Sequence, residues 1–114
     1  MVKYETHLQG DFDELLDKLH EGILNPGKRG NTTEKSRSDY HSGNVRCAVR
    51  VYEDHGSTFH SYTGFTIMLL KNENELFLSA LSLDGNFGGI IHKRFLDKTI
   101  KVVEEYKQAQ GQVE

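Results

Sequence analysis

From Val45 to Tyr52 the chain alternates without interruption, with Val45, Cys47, Val49 and Val51 on one side and Arg46, Ala48, Arg50 and Tyr52 on the other. A period of two is that of a β-strand, and its apolar half marks the face expected to be buried. Val2, Tyr4 and Leu8 alternate in the same way with Lys3, Glu5 and His7, which predicts a first, half-buried strand. After Gly10 the period changes. Phe12, Leu15, Leu16, Leu19 and Ile23 fall on one helical face, with Asp13, Asp17, Lys18 and Glu21 opposite. Asp11 stands where it can cap this helix, and Glu14, three residues on, comes close to completing a capping box. Asn25-Pro26-Gly27 ends it, because Pro26 cannot donate to the helix and Pro-Gly favours a turn.

Lys28 to Ser42 is strongly polar and predicts either a loop followed by an edge strand within Thr32–Tyr40, its charges suited to an unpaired sheet edge, or disorder over part of its length. Gly43 to Asp84 predicts an antiparallel meander. Its turns are Asp54-His55-Gly56 and Lys71-Asn72-Glu73-Asn74, and its later strands run from Thr58 to Leu70 and from Glu75 to Leu83. From about Gly88 a second helix places Ile91, Phe95, Thr99, Val102, Val103 and Tyr106 on one face. The order β-α-β-β-β-β-α, with no repeating βαβ unit, predicts an α+β fold: a four- to five-stranded, mainly antiparallel sheet with two helices on one face. Residues 1–108 form a single domain on this reading, and residues 109–114 a frayed tail.

Register decides which side chains share a face. A tight first turn leaves Asp54 opposite Thr58, and so Val49 opposite Thr63 and Cys47 opposite Phe65. Pairing Leu70 with Glu75 sets Ile67 against Leu78. The core face then holds Val45, Cys47, Val49, Val51, Phe65, Ile67, Leu69, Leu76, Leu78 and Ala80. The opposite face holds an apolar half, Met68, Leu70, Phe77, Leu81 and Leu83, and a cationic, aromatic half, Arg46, Arg50, Tyr52, His60 and Tyr62. A solvent-facing sheet is expected to be mostly polar, and a patch of this make-up is seldom left bare. Three readings compete for it: a homodimer interface through the apolar half, a pocket for a small anionic or amphipathic ligand lined by the cationic half, or cover from the loop around Lys28 to Tyr40. A slip of one residue would reverse the assignment of a strand.

Composition narrows the function classes. With 36% hydrophobic and 27% charged residues in 114, the chain has the profile of a globular domain with one core. Its net charge of −3 argues against a nucleic-acid binder. Ile67-Met68-Leu69-Leu70 is far shorter than the roughly 20 apolar residues needed to span a bilayer, so no membrane partner is expected. The opening MVKYETHLQGDF has no signal-peptide core, and Cys47 has no second cysteine to pair with. Together these predict a cytoplasmic protein.

The candidate motifs are weaker than they look. Gly85, Gly88 and Gly89 open onto a helix carrying His92, Lys93 and Arg94, which is how many anion-binding loops are built. The spacing matches neither a P-loop nor a dinucleotide fingerprint, so a sharp strand-to-helix turn is the preferred reading. His55 and His60, near Glu53 and Asp54, lack any metal-ligand spacing, and no cofactor motif is present. No nucleophile-and-base arrangement stands out, which leaves a hydrolytic or metal-dependent enzyme a distant third. Cys47 reads as a small buried hydrophobe.

EGILN at the end of the first helix, VRCAVRVYE at Val45–Glu53 and the segment ELFLSALSLDGNFGG resemble a family of small bacterial proteins, mostly Gram-positive, classed as a domain of unknown function. The resemblance covers most of the chain from Gly10 to about Phe95. Asp-His-Gly follows the Val45 strand where the family pattern continues in an Arg-Tyr-Ser-like way. The resemblance implies a bacterial, cytoplasmic protein and brings no reaction, cofactor or catalytic residue. Arg46, Arg50, Tyr52 and Glu53 lie inside the strand that carries it.

Overall fold

The computed structural model describes residues 2–24, 32–55, 62–82 and 89–111. The elements are β1 (Val2–Gln9), α1 (Phe12–Leu24), β2 (Thr32–Ser42), β3 (Val45–His55), β4 (Tyr62–Asn72), β5 (Glu75–Ser82) and α2 (Gly89–Ala109). The strands form one five-stranded sheet in the order β1-β5-β4-β3-β2, antiparallel at every junction. This is the expected α+β fold. Within the polar segment Thr32–Ser42 is an edge strand, β2, residues 28–31 lying outside the described residues, and β1 takes the other edge.

Both helices pack on one side of the sheet. Leu15, Leu19 and Ile23 of α1, and Phe95, Val103 and Tyr106 of α2, are buried against Leu8, Tyr52, Phe65, Ile67, Leu69, Leu76, Leu78 and Ala80. Phe65 and Phe95 stack with ring centroids 4.6 Å apart and planes 4° from parallel. Each such side chain contributes roughly 1.5–3 kcal/mol on burial, so the sheet-helix layer holds the fold together.

The start of α1 is tied to α2. Asp11 Oδ1 accepts from the Glu14 N–H at 2.9 Å, as the capping pattern predicts. The Asp11 N–H goes elsewhere: it donates to Tyr106 Oη at 2.7 Å, where a capping box would use the Glu14 side chain. Gly10 lies directly beneath that ring, at φ +152°.

Two two-residue turns close the outer hairpins, Gly43-Asn44 between β2 and β3 and Glu73-Asn74 between β4 and β5. Gly43 and Glu73 both have φ 56°, the left-handed region such turns require. Gly adopts it freely and Glu does not. Glu73→Asn should therefore raise stability by about 0.5–1 kcal/mol, read as a higher urea midpoint with an unchanged slope.

The expected register of β3 against β4 is corrected. Val49 faces Met68 and not Thr63, five positions further along β4, because β3 continues to His55 and pairs there with Tyr62. An odd shift inverts a face. Ala48, Arg50, Tyr52 and Asp54 are buried on the helix side, while Val45, Cys47, Val49 and Val51 are half-buried on the outer side. Cys47 is thus no core residue. On β4 and β5 the faces are as expected, since the second hairpin slips by two positions, Ile67 meeting Ala80 and not Leu78.

Candidate functional site

The corrected register gathers the apolar residues of three strands onto the face turned away from both helices. Three cross-strand rows can be followed. Tyr40, Cys47, Leu70, Phe77 and His7 form one; Ser38, Val49, Met68, Ser79 and Glu5 the next; Ser36, Val51, Thr66, Leu81 and Lys3 the third. In the middle of these rows lie Cys47, Val49, Val51, Met68, Leu70, Phe77 and Leu81, all half-buried. Neighbours across an antiparallel pair stand about 4.5–5.5 Å apart at Cβ, so these side chains, with Thr66 and Ser79 set among them, make one largely apolar surface.

Its margin is polar. On β1, Lys3 and Glu5 form an ion pair at 3.7 Å, Ser79 donates to Glu5 Oε2 at 3.0 Å, and His7 packs on Phe77 with ring centroids 4.9 Å apart. Tyr40 on β2, 62% exposed, is the most open large hydrophobic among the described residues. Met68, Leu70, Phe77 and Leu81 therefore do share the outer face, as the sequence suggests, and Leu83 lies outside the described residues. Tyr40 and the β3 valines were missed. No charged residue interrupts their rows, but their alternation read equally well as a core face.

Arg46, Arg50 and Tyr52 do not share that face, which corrects their expected placement. The odd shift carries them to the helix side. Arg46 holds Asp13 through two hydrogen bonds of 2.9 and 3.0 Å and lies 4.3 Å from the centre of the Phe12 ring. This pair holds the Asp13 carboxyl below its usual range and raises the Arg46 guanidinium. Arg50, 6% exposed, donates to Asp39 Oδ1 and the Val49 carbonyl, each at 3.0 Å. Tyr52 is fully buried, with its hydroxyl 2.8 Å from His20 Nδ1. Burial pushes that hydroxyl up to about 12, with the Glu34 charge adding to the effect. Glu34 is itself held below its usual range by a two-point hydrogen bond from Arg37.

This side of β2 and β3 thus carries matched opposite charges: Arg46–Asp13 fastens α1 to β3, Arg50–Asp39 ties β3 to β2, and Arg37–Glu34 lies within β2. The arginines proposed to read a ligand's charge are engaged by carboxylates of the chain itself. His60, Gly85 and Gly88 lie outside the described residues, and the Tyr62 side chain is not among those described. Gly89 is the first residue of α2. Among the described residues no group of three His, Cys, Asp or Glu side chains could hold a metal ion. No helix among them is long and apolar enough to cross a membrane.

Comparison with known proteins gives one family: the profile of DUF6054, a family of unknown function, matches residues 1–107. No curated protein matches the chain.

Proposed function

Since the chain belongs to DUF6054, a family of unknown function, its own surface has to supply the reading, and we propose that it is a non-enzymatic module that self-associates through the outer sheet face. The observation that carries this is the largely apolar centre, from Val49 and Cys47 through Met68 and Leu70 to Phe77 and Leu81, on the face that neither helix covers. Antiparallel sheets that face water carry polar residues there. An apolar centre inside a polar margin is the anatomy of a protein–protein interface.

Size supports the same reading. Five strands about 4.8 Å apart, eight residues long at about 3.4 Å each, present a flat face of roughly 650 Å². A standard interface buries about 800 Å² per partner. Two such faces stacked about 10 Å apart would form a sandwich with the helices outermost. A reducing, cytoplasmic setting suits an interface that contains the unpaired Cys47.

The test is sedimentation velocity over a wide concentration range, on the wild type and on Met68→Glu with Phe77→Glu. The wild type should be a dimer. The variant should be a monomer with an unchanged circular-dichroism spectrum, its dissociation constant raised at least ~100-fold. A wild type that stays monomeric throughout, or a variant that still dimerises, removes the reading.

A further inference from the structure

The edge strand β2 contributes no buried residue to the fold, yet its two sides differ sharply in chemistry. Thr32, Glu34, Arg37, Asp39 and His41 share the helix side with Asp54, Tyr52, Arg50, Ala48 and Arg46, while Thr33, Ser36, Ser38, Tyr40 and Ser42 share the outer side with Glu53, Val51, Val49, Cys47 and Val45. The charged residues paired on β2 all lie on one side. The other is uncharged, three serines and a threonine around Tyr40.

A bulge makes this separation. The register steps between Glu34 and Ser36, leaving Lys35 as the extra residue. Without that step, Arg37, Asp39 and His41 would join Thr33 on the outer side and the serines would lie on the other. Lys35 itself turns to Glu53, 4.0 Å away, at the margin. A strand that met only water on both sides would have no reason to keep charge off one of them.

We infer that β2 belongs to the surface covered by a second copy of this chain, with Tyr40 as the anchor at its edge. The inference rests on the outer-face reading above and extends it to a strand the apolar pattern does not reach. Two considerations single out a second copy as the occupant. In two-fold packing the patch meets a copy of itself, so the uncharged Ser-Tyr strip of β2 would lie against the copy's uncharged rows and bury no unpaired charge. Further, without β2 the face falls from roughly 650 Å² to about 520 Å² by the same geometry, well short of the ~800 Å² of a standard interface side, so a dimer of usual size needs β2 in the contact. Its free backbone edge is not the contact, because a bulge and charged side chains are what keep other strands from adding there.

Sedimentation velocity of single variants decides it. Tyr40→Glu and Ser38→Glu should each raise the dimer dissociation constant at least ~tenfold, as Met68→Glu does, whereas His41→Glu, on the other side of the same strand, should leave it unchanged. All four positions are partly or fully exposed, and matching thermal melts confirm that each variant folds. If Met68→Glu dissociates the dimer while Tyr40→Glu and Ser38→Glu do not, the outer-face reading stands and the role of β2 is overturned. If His41→Glu weakens the dimer as much as Tyr40→Glu, the one-sidedness is overturned. A wild-type protein that is monomeric at every concentration, or that elutes from its host only with a different protein, overturns both.

Discussion

Gly10→Ala is expected to cost roughly 3–5 kcal/mol, a large share of the ~5–15 kcal/mol that holds a domain of this size together. Two separate effects add. The backbone at Gly10 has φ +152°, a region that residues with a Cβ avoid. In addition, a Cβ there would stand 2.5 Å from Tyr106 Cε2 and 2.9 Å from Cζ, inside the van der Waals envelope of a ring that is itself buried. Moving the ring would break the Asp11 N–H to Tyr106 Oη bond and leave that amide without its partner. In urea unfolding, Tyr106→Phe should lose only about 1–2 kcal/mol, since it removes the hydroxyl and keeps the ring. Tyr106→Ala makes room, so the double variant with Gly10→Ala should cost clearly less than the two single losses summed. Strict additivity would mean that the ring and Gly10 do not meet in solution.

Tyr52 carries the second large effect, and its pH dependence is distinctive. Truncation to Ala should cost about 3–5 kcal/mol, as for any fully buried aromatic ring, while Tyr52→Phe should cost about 1–2 kcal/mol by leaving His20 without its partner. The Tyr52 hydroxyl is pushed up to about 12 in the folded protein from about 10 in an unfolded chain. A folded value raised above the unfolded one gives a contribution that is complete below pH 10 and disappears as the pH climbs toward 12. Between pH 9 and 11.5 the wild type should thus lose roughly 2 kcal/mol relative to Tyr52→Phe. Denaturant unfolding of both proteins across that window measures it, and parallel losses would show that Tyr52 ionises as an exposed tyrosine does.

Much of the architecture was legible in the order of residues. The α1 face of Phe12, Leu15, Leu16, Leu19 and Ile23 is buried throughout, because a single apolar stripe opposite a charged one leaves only one way to dock. On β5, Leu76 and Leu78 turned inward and Phe77 and Leu81 outward as expected. The face of β3 was not legible, for a physical reason. Alternation says that two faces differ and does not say which is inside when the outer one is also apolar. Val45, Cys47, Val49 and Val51 make the better-looking core, but Ala48 and Tyr52 occupy it, with Arg50 and Asp54 buried beside them. What settles the matter is where β3 ends, and the pairing of His55 with Tyr62 depends on a connection whose length no local pattern reveals. The candidate face shifted accordingly: Met68, Leu70, Phe77 and Leu81 do lie on the outer side, whereas Arg46, Arg50 and Tyr52 lie on the helix side. Tyr40 escaped notice because a lone tyrosine among serines and charges gains its meaning only from the row it joins.

The sheet order has a consequence for synthesis. Among the described strands β1 pairs with β5 alone, and the Asp11 amide just before α1 waits for Tyr106, so Val2–Gln9 meets its sheet partner on a nascent chain only after β5 has been made. The β2–β5 meander is built from neighbouring strands and can form within itself first; closing the loop back to β1 is the slow, high-contact-order step. During that interval the helix side of the half-made sheet still lacks α2, and its largely apolar outer side is covered by neither helix. α2 then completes the cover of the helix side, which leaves the outer side as the surface through which crowded nascent copies would meet.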